Sequence, residues 1–178
     1  MSEQKVYVEY SYPINDDGTF PNSHLPVLLY KGILDLPALF PAAHIENLFK
    51  ANHWSNSWKS GIFTYHHYHS ITHEVLGFYK GHGSLMLGGE NGTKVSVEKG
   101  DVLIIPAGVA HKNLGEENDI HCVGAYPEGK SYDMNYGKTG ERPRADMNIK
   151  EVPLPERDPI LGLKGGTNKY WIEAENKK

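Results

Sequence analysis

Cysteine occurs once, as Cys122, in a chain of 178 residues. A lone thiol excludes an intrachain disulfide and a cysteine-rich zinc site, so any bound metal must be held by nitrogen and oxygen. The same usage fits a reducing, cytoplasmic setting. Arginine is nearly as scarce, present only as Arg142, Arg144 and Arg157, and the net charge is −4. The basic footprint of a nucleic-acid binder is therefore missing. No apolar run approaches the roughly 20 residues that span a bilayer as a helix. The opening "MSEQKVYVEY" has no charged stretch followed by an apolar one, so no secretory leader is visible. Neither nucleic acid nor membrane is expected as a partner.

What is present is ordinary for a globular chain: 39% hydrophobic and 22% charged residues, enough to build one buried core. Texture separates three regions of a single predicted domain. Residues 1–56 form an N-terminal extension with strands and one helix. "VYVEYSY" (6–12) alternates as a strand does, while "PNSHLPVLLYKG" reads as strand or irregular chain. Pro41 opens a helical spacing of Ala42, Ile45, Leu48 and Phe49, which predicts a helix over 41–52. Residues 57–126 hold short strands between glycine turns: "WKSGIFTYHHYH", "EVLGFYKG", "GSLMLGG", "TKVSVEKG", "DVLIIPAG" and "DIHCVGAY". "GGENGT" and "EKGD" are the turn sequences between them. No helical pattern interrupts these strands, so an antiparallel all-β core is predicted rather than βαβ units. Residues 127–178 are polar and rich in Gly and Pro, which predicts an ordered but irregular wrap across the barrel, with room for a short helix and a frayed end at "EAENKK".

Within the middle region "YHHYHSITHE" (65–74) packs four histidines and a glutamate into ten positions. Alternate side chains of a strand share a face, so His67 and His69 can reach one ion, with Phe63 and Tyr65 on the same face. His66 and Tyr68 fall on the other. "SIT" turns the chain, and Glu74 opens the neighbouring strand. Two imidazoles and a carboxylate form a set suited to a divalent ion with open positions. "GDVLIIPAGVAH" offers a fourth donor, His111, after an apolar strand and a Pro-Ala-Gly turn. His73 is a candidate substitute ligand or member of the outer shell or pocket, but the opposite strand face is its favoured destination.

At these residues the chain resembles the cupin superfamily, the RmlC-like jelly rolls. The first cupin motif, G-x(5)-H-x-H-x(4)-E-x(6)-G, is matched by Gly61, His67, His69, Glu74 and Gly81. The second, G-x(5)-P-x-G-x(2)-H-x(3)-N, is matched by Gly100, Pro106, Gly108 and His111, but Gly115 holds its last position and Asn113 lies two residues early. That departure bears on the local turn or pocket edge. "NSWKSGIFTYHHYHSITHEVLG", "VGAYP" and "GERPRADMNIKEVPLPERDPILG" extend the likeness to the YjlB-like small cupins over nearly the whole chain.

The resemblance implies a double-stranded β-helix barrel and one divalent transition metal ion, Fe, Mn, Zn or Ni, held by His67, His69, Glu74 and His111. It further implies a small-molecule ligand and pairing into a homodimer through a sheet edge, for which "VYVEYSY" is the candidate. A metal-dependent enzyme of oxygenase or isomerase type, acting on a small polar molecule, is expected. The alternatives are a non-catalytic cupin that holds metal and ligand for sensing or storage, a closed structural zinc site, and a scaffold whose site is vestigial.

Other residues carry plainer expectations. Trp54 and Trp58 should pack between helix and barrel, with the floor of a pocket as the alternative, and Cys122 should be a small buried residue. Arg142 and Arg144 should make surface ion pairs. Tyr126, Tyr132 and Tyr136 are placed where the wrap would cross the barrel mouth.

Overall fold

The computed structural model describes residues 7–178. Eight strands form an antiparallel jelly roll. They are β1 (Val8–Ile14), β2 (Ser23–Lys31), β3 (Trp54–Ser60), β4 (Glu74–Leu87), β5 (Thr93–Glu98), β6 (Val102–Ile105), β7 (His111–Asn113) and β8 (Ile120–Pro127). The main sheet runs β1-β2-β6-β4-β8-β3, and β5 and β7 pair with the far half of β4. β4 therefore belongs to both walls of the barrel. It turns the corner at a register shift between Phe78 and Lys80, followed by Gly81 at φ +81°. A bulge beside a left-handed glycine bends a strand in this way.

The apolar alternation of the sequence sorts side chains to two faces. Val27, Leu29, Leu76, Phe78, Leu103 and Ile105 point into the barrel. Their neighbours Leu28, Tyr30, Val75, Val102 and Ile104 point outward and are equally buried. A sheet covered on both faces reads as nearly continuous apolar runs, which is why "PVLLY" and "DVLII" show little alternation. The outer cover is helix α1 (Pro41–Ala51), whose Ile45 and Phe49 are fully buried against that face. Burial of each such side chain is worth roughly 1.5–3 kcal/mol. Asn52 closes the helix and donates through Nδ2 to the Pro159 carbonyl at 2.9 Å, tying it to the C-terminal wrap.

Three expectations are corrected. The first strand runs from Val8 to Ile14 instead of 6–12, and residue 6 lies outside the described residues. "EVLGFYKG" and "GSLMLGG" are one long strand, β4. "WKSGIFTYHHYH" is not continuous: β3 ends at Ser60, and beyond it only the bridges His67–His111 and Tyr68–Asn135 form. The break falls at Gly61, where a Cβ would lie 1.9 Å from the Glu117 carbonyl, so the two backbones approach as only glycine allows. The wrap does carry short helical pieces: helix α2 (Arg144–Glu151), then a π-helical turn (Thr167–Trp171) running into α3 (Ile172–Glu175).

The end of the chain is docked rather than frayed. Trp171 is fully buried and donates through Nε1 to the Pro26 carbonyl at 2.7 Å, and Glu175 pairs with His24 at 2.7 Å. No helix among the described residues is long and apolar enough to cross a membrane.

Candidate metal centre

The two motifs meet directly. His67 and His111 exchange backbone hydrogen bonds of 3.2 and 3.0 Å, and Gly108 donates to the His69 carbonyl at 2.8 Å. Gly108 has φ +94°, and a side chain there would strike the Asn22 carbonyl at 2.3 Å. The glycine of the Pro-Ala-Gly turn is thus what lets His111 arrive beside the first motif.

His67, His69 and His111 are all buried, and one ring nitrogen of each lies within 4.8 Å of the others. Glu74 Oε2 stands 3.3 Å from Nε2 of both His69 and His111. In each imidazole the other nitrogen is committed. Nδ1 faces the Tyr65 carbonyl at 3.1 Å in His67, the Asp133 carbonyl at 2.6 Å in His69 and the Val109 carbonyl at 3.1 Å in His111. A carbonyl can only accept, so each Nδ1 carries the proton and, in the neutral ring, Nε2 presents a lone pair. Glu74 Oε2 is buried and has no hydrogen-bond partner of acceptable geometry. A carboxylate oxygen facing two imidazole lone pairs at 3.3 Å is repulsive unless a proton or a metal cation lies between them. The donor set, its tautomers and the orphaned oxygen therefore fit a divalent ion.

Electrostatics says the same. Burial pushes Glu74 toward neutrality, but the imidazoles of His69 and His111 more than offset it and hold the carboxyl below the usual range. Burial lowers His69, yet the attraction of the Glu74 carboxylate leaves its pKa raised. His67 is pushed down to about 3, by burial first and then by His111. The cluster thus keeps one carboxylate charged and calls for one positive partner.

Behind the four side chains lies an outer layer. Tyr126 donates to Glu74 Oε1 at 3.1 Å and accepts from Trp58 Nε1 at 2.7 Å. Asp133, whose carbonyl orients His69, is itself pinned through its carboxylate by the Ser70 amide at 2.7 Å and by Asn135 at 2.8 Å. Asn135 also pairs with Tyr68 in both backbone directions, which staples the wrap over the barrel mouth.

The outer layer was only partly readable. Asp133 was missed, because a carbonyl supplied by an irregular segment leaves no signal in spacing. Trp58 was expected between helix and barrel, but it lines the cavity; Trp54 does that packing, fully buried and bonded through Nε1 to the Arg157 carbonyl. Tyr126 reaches the site from β8 and not from the wrap, whereas Tyr132 and Tyr136 do come from the wrap.

His73 takes the favoured opposite strand face and enters neither the outer shell nor the pocket. It is buried on the far face, its Nδ1 accepting from the Ala107 amide at 2.9 Å, its Nε2 3.2 Å from the Pro153 carbonyl and its ring 4.7 Å from Trp171. Parity explains this, since His73 precedes Glu74 and points the other way. Phe63 and Tyr65 do line the cavity, their rings stacked at 4.8 Å. His66 turns away to Glu90 at 3.0 Å. Asn113 stays local, accepting from the Gly115 amide at 3.0 Å. Cys122 is buried, and burial raises its thiol well above the ordinary range, so it is unreactive.

A jelly roll whose two motifs deliver three imidazoles and a carboxylate to its interior defines a cupin. No family model matches the chain. The protein YjlB of Bacillus subtilis (strain 168), named only as uncharacterised, is 40% identical over 164 residues, spanning 92% of this chain and 96% of its own. The chain belongs to the YjlB family. Among solved structures it is similar to acireductone dioxygenase from Bacillus anthracis, which has a cadmium ion in its active centre. That likeness has 17% identity and a TM-score of 0.39, over 71% of this chain and 82% of that one. Procruciferin, an 11S globulin from Brassica napus, gives 13% identity and a TM-score of 0.36, and the chain spans 22% of that longer protein.

Proposed function

We propose that this cupin binds one divalent transition metal ion, Fe, Mn, Zn or Ni, through His67, His69, Glu74 and His111, and uses it on a small molecule as an oxygenase-type or isomerase-type enzyme. One observation carries the reading: three buried imidazoles whose Nδ1 protons are tied to carbonyls bring a ring nitrogen each within 4.8 Å of one another, and those of His69 and His111 lie 3.3 Å from an orphaned carboxylate oxygen. When bound, such an ion supplies Lewis acidity toward a coordinated oxygen or water.

The chain's own residues do the rest. Tyr126, fixed by Trp58, holds Glu74 Oε1 and so leaves only Oε2 turned to the imidazoles. Asp133 fixes the plane of His69. Leu76, Ile62 and the aromatic walls surround the four donors with mainly apolar surface.

A second reading, a non-catalytic cupin for sensing or storage, draws on a different observation. Apart from the four donors, no Lys, Arg, Asp or Glu among the described residues lines the cavity, which leaves no independent charged acid-base pair among them there.

The homodimer is proposed too. β1 ends the strand order, and its outer edge could pair across a two-fold axis; a monomer mass in solution scattering would rule it out. A cytoplasmic location fits the single cysteine.

Elemental analysis of protein purified without chelator tests the main reading. About one divalent ion per chain is expected, and strongly substoichiometric metal removes it. Turnover of a candidate substrate by the metal-loaded chain then separates enzyme from binder.

A further inference from the structure

The cavity above the imidazoles has a volume of about 370 Å³. Four large rings stand at its opening while remaining substantially exposed: Phe63 40%, Tyr65 45%, Tyr132 45% and Tyr136 39%. Exposed aromatics gathered around one opening mark a surface that is covered by something apolar. The rings are also ordered. Phe63 and Tyr65 stack at 4.8 Å with 16° between planes, Tyr126 and Tyr132 at 4.9 Å with 23°, and Tyr136 lies 5.9 Å from Tyr65. Met134 adds a polarisable side chain suited to ring contacts. Deeper in, the phenol of Tyr126 is engaged by Trp58 and Glu74. A ligand's polar end must then find its partners at the four donors, and its body meets rings.

We infer that the ligand of this site is a small molecule with a chelating oxygen-bearing head and a flat, uncharged, apolar body held between the aromatic walls. This rests on the metal reading and narrows the small polar molecule expected from the sequence. A charge on the body would lose hydration in a cavity with no counter-ion among its lining residues other than the donors themselves. A flat ring instead replaces water against rings of matching geometry.

The test uses three hydroxamates with the same metal-binding head, titrated calorimetrically into the full-length chain loaded with Zn(II), with metal content measured alongside. Benzohydroxamate is expected to bind roughly tenfold or more tighter than acetohydroxamate, from the burial of the ring. 4-Carboxybenzohydroxamate should lose most of that gain. The double variant Phe63→Ala/Tyr65→Ala should bring the benzo-to-aceto ratio close to unity with metal content unchanged. Both side chains are substantially exposed, and the Tyr65 carbonyl that holds His67 belongs to the backbone. Equal affinity for the three probes, or preference for the charged or methyl one, in fully metallated protein overturns the inference and leaves the metal reading intact. A chain that retains no zinc overturns the metal reading and this inference with it.

Discussion

His73 and the pair His67 and His69 sit within seven positions of one another, and all three are buried, yet their surroundings differ in kind. On the far face of the sheet both nitrogens of His73 have backbone partners, Ala107 and Pro153, and Trp171 covers the ring. Inside the barrel each imidazole has one nitrogen tied to a carbonyl, while the other nitrogen of His69 faces Glu74 and the rings of His67, His69 and His111 cluster together. A buried histidine with two partners is complete and stabilises the fold. One with a single partner is an unfinished polar group, and the unfinished end shows where chemistry is meant to occur.

The sharpest way to break this comparison is a pair of substitutions. His69→Ala should abolish metal retention, read as metal per chain, while leaving a folded barrel. His73→Ala should keep the metal and lower stability by about 2–4 kcal/mol in chemical denaturation, since the buried Ala107 amide loses its acceptor and a void remains. If the two effects were exchanged, the contrast would fail.

Acidity separates the same residues. Burial depresses His73 to about 4, so between that value and about 6.5 the unfolded chain binds the extra proton. Stability should therefore rise with pH across this window, and in His73→Asn, which lacks the titrating group, the slope should be shallower. His69 behaves oppositely because Glu74 raises its pKa against the effect of burial. Its proton competes with the ion for Nε2, so as pH falls through that raised value metal affinity should drop by about tenfold per unit. Competition with a chromophoric chelator measures this. His67, held near 3, stays neutral throughout and does not contribute.

Smaller effects refine the picture. Tyr126→Phe removes the hydrogen bond to Glu74 Oε1 and should weaken metal binding by about tenfold, with little change in fold. At the bottom of the scale, Arg142 bridges Asp16 at 2.6 Å and Asp146 at 2.5 Å on the surface of the wrap. Arg142→Ala should cost no more than about 1 kcal/mol and leave metal affinity unaltered.

Much of this was legible beforehand because it depends on short-range pattern. Strand periodicity, glycine turns and the motif spacing are local, and they placed the all-β barrel, the helix at Pro41 and the residues His67, His69, Glu74 and His111. The illegible parts are long-range. Trp171 docks against Pro26 across 145 residues of chain, and Asp133 reaches His69 across 64, so neither leaves a periodic trace. Trp54 and Trp58 have the same residue type and lie four apart. What assigned one to the outer layer and the other to the cavity was a register shift in the pairing of β3 with β8 between Ser55 and Trp58.

By itself the sequence determined which side chains could meet: two histidines one residue apart share a face, and a glycine-proline turn carries a third back toward them. Tertiary structure alone decided which nitrogen of each ring stays unpaired, that Glu74 Oε2 is left without a partner, and that aromatic rings close the mouth. Those features arise where distant segments pack together, and a hydrogen bond to a carbonyl on another segment depends on the folded path of the backbone, not on the residue type that supplies it.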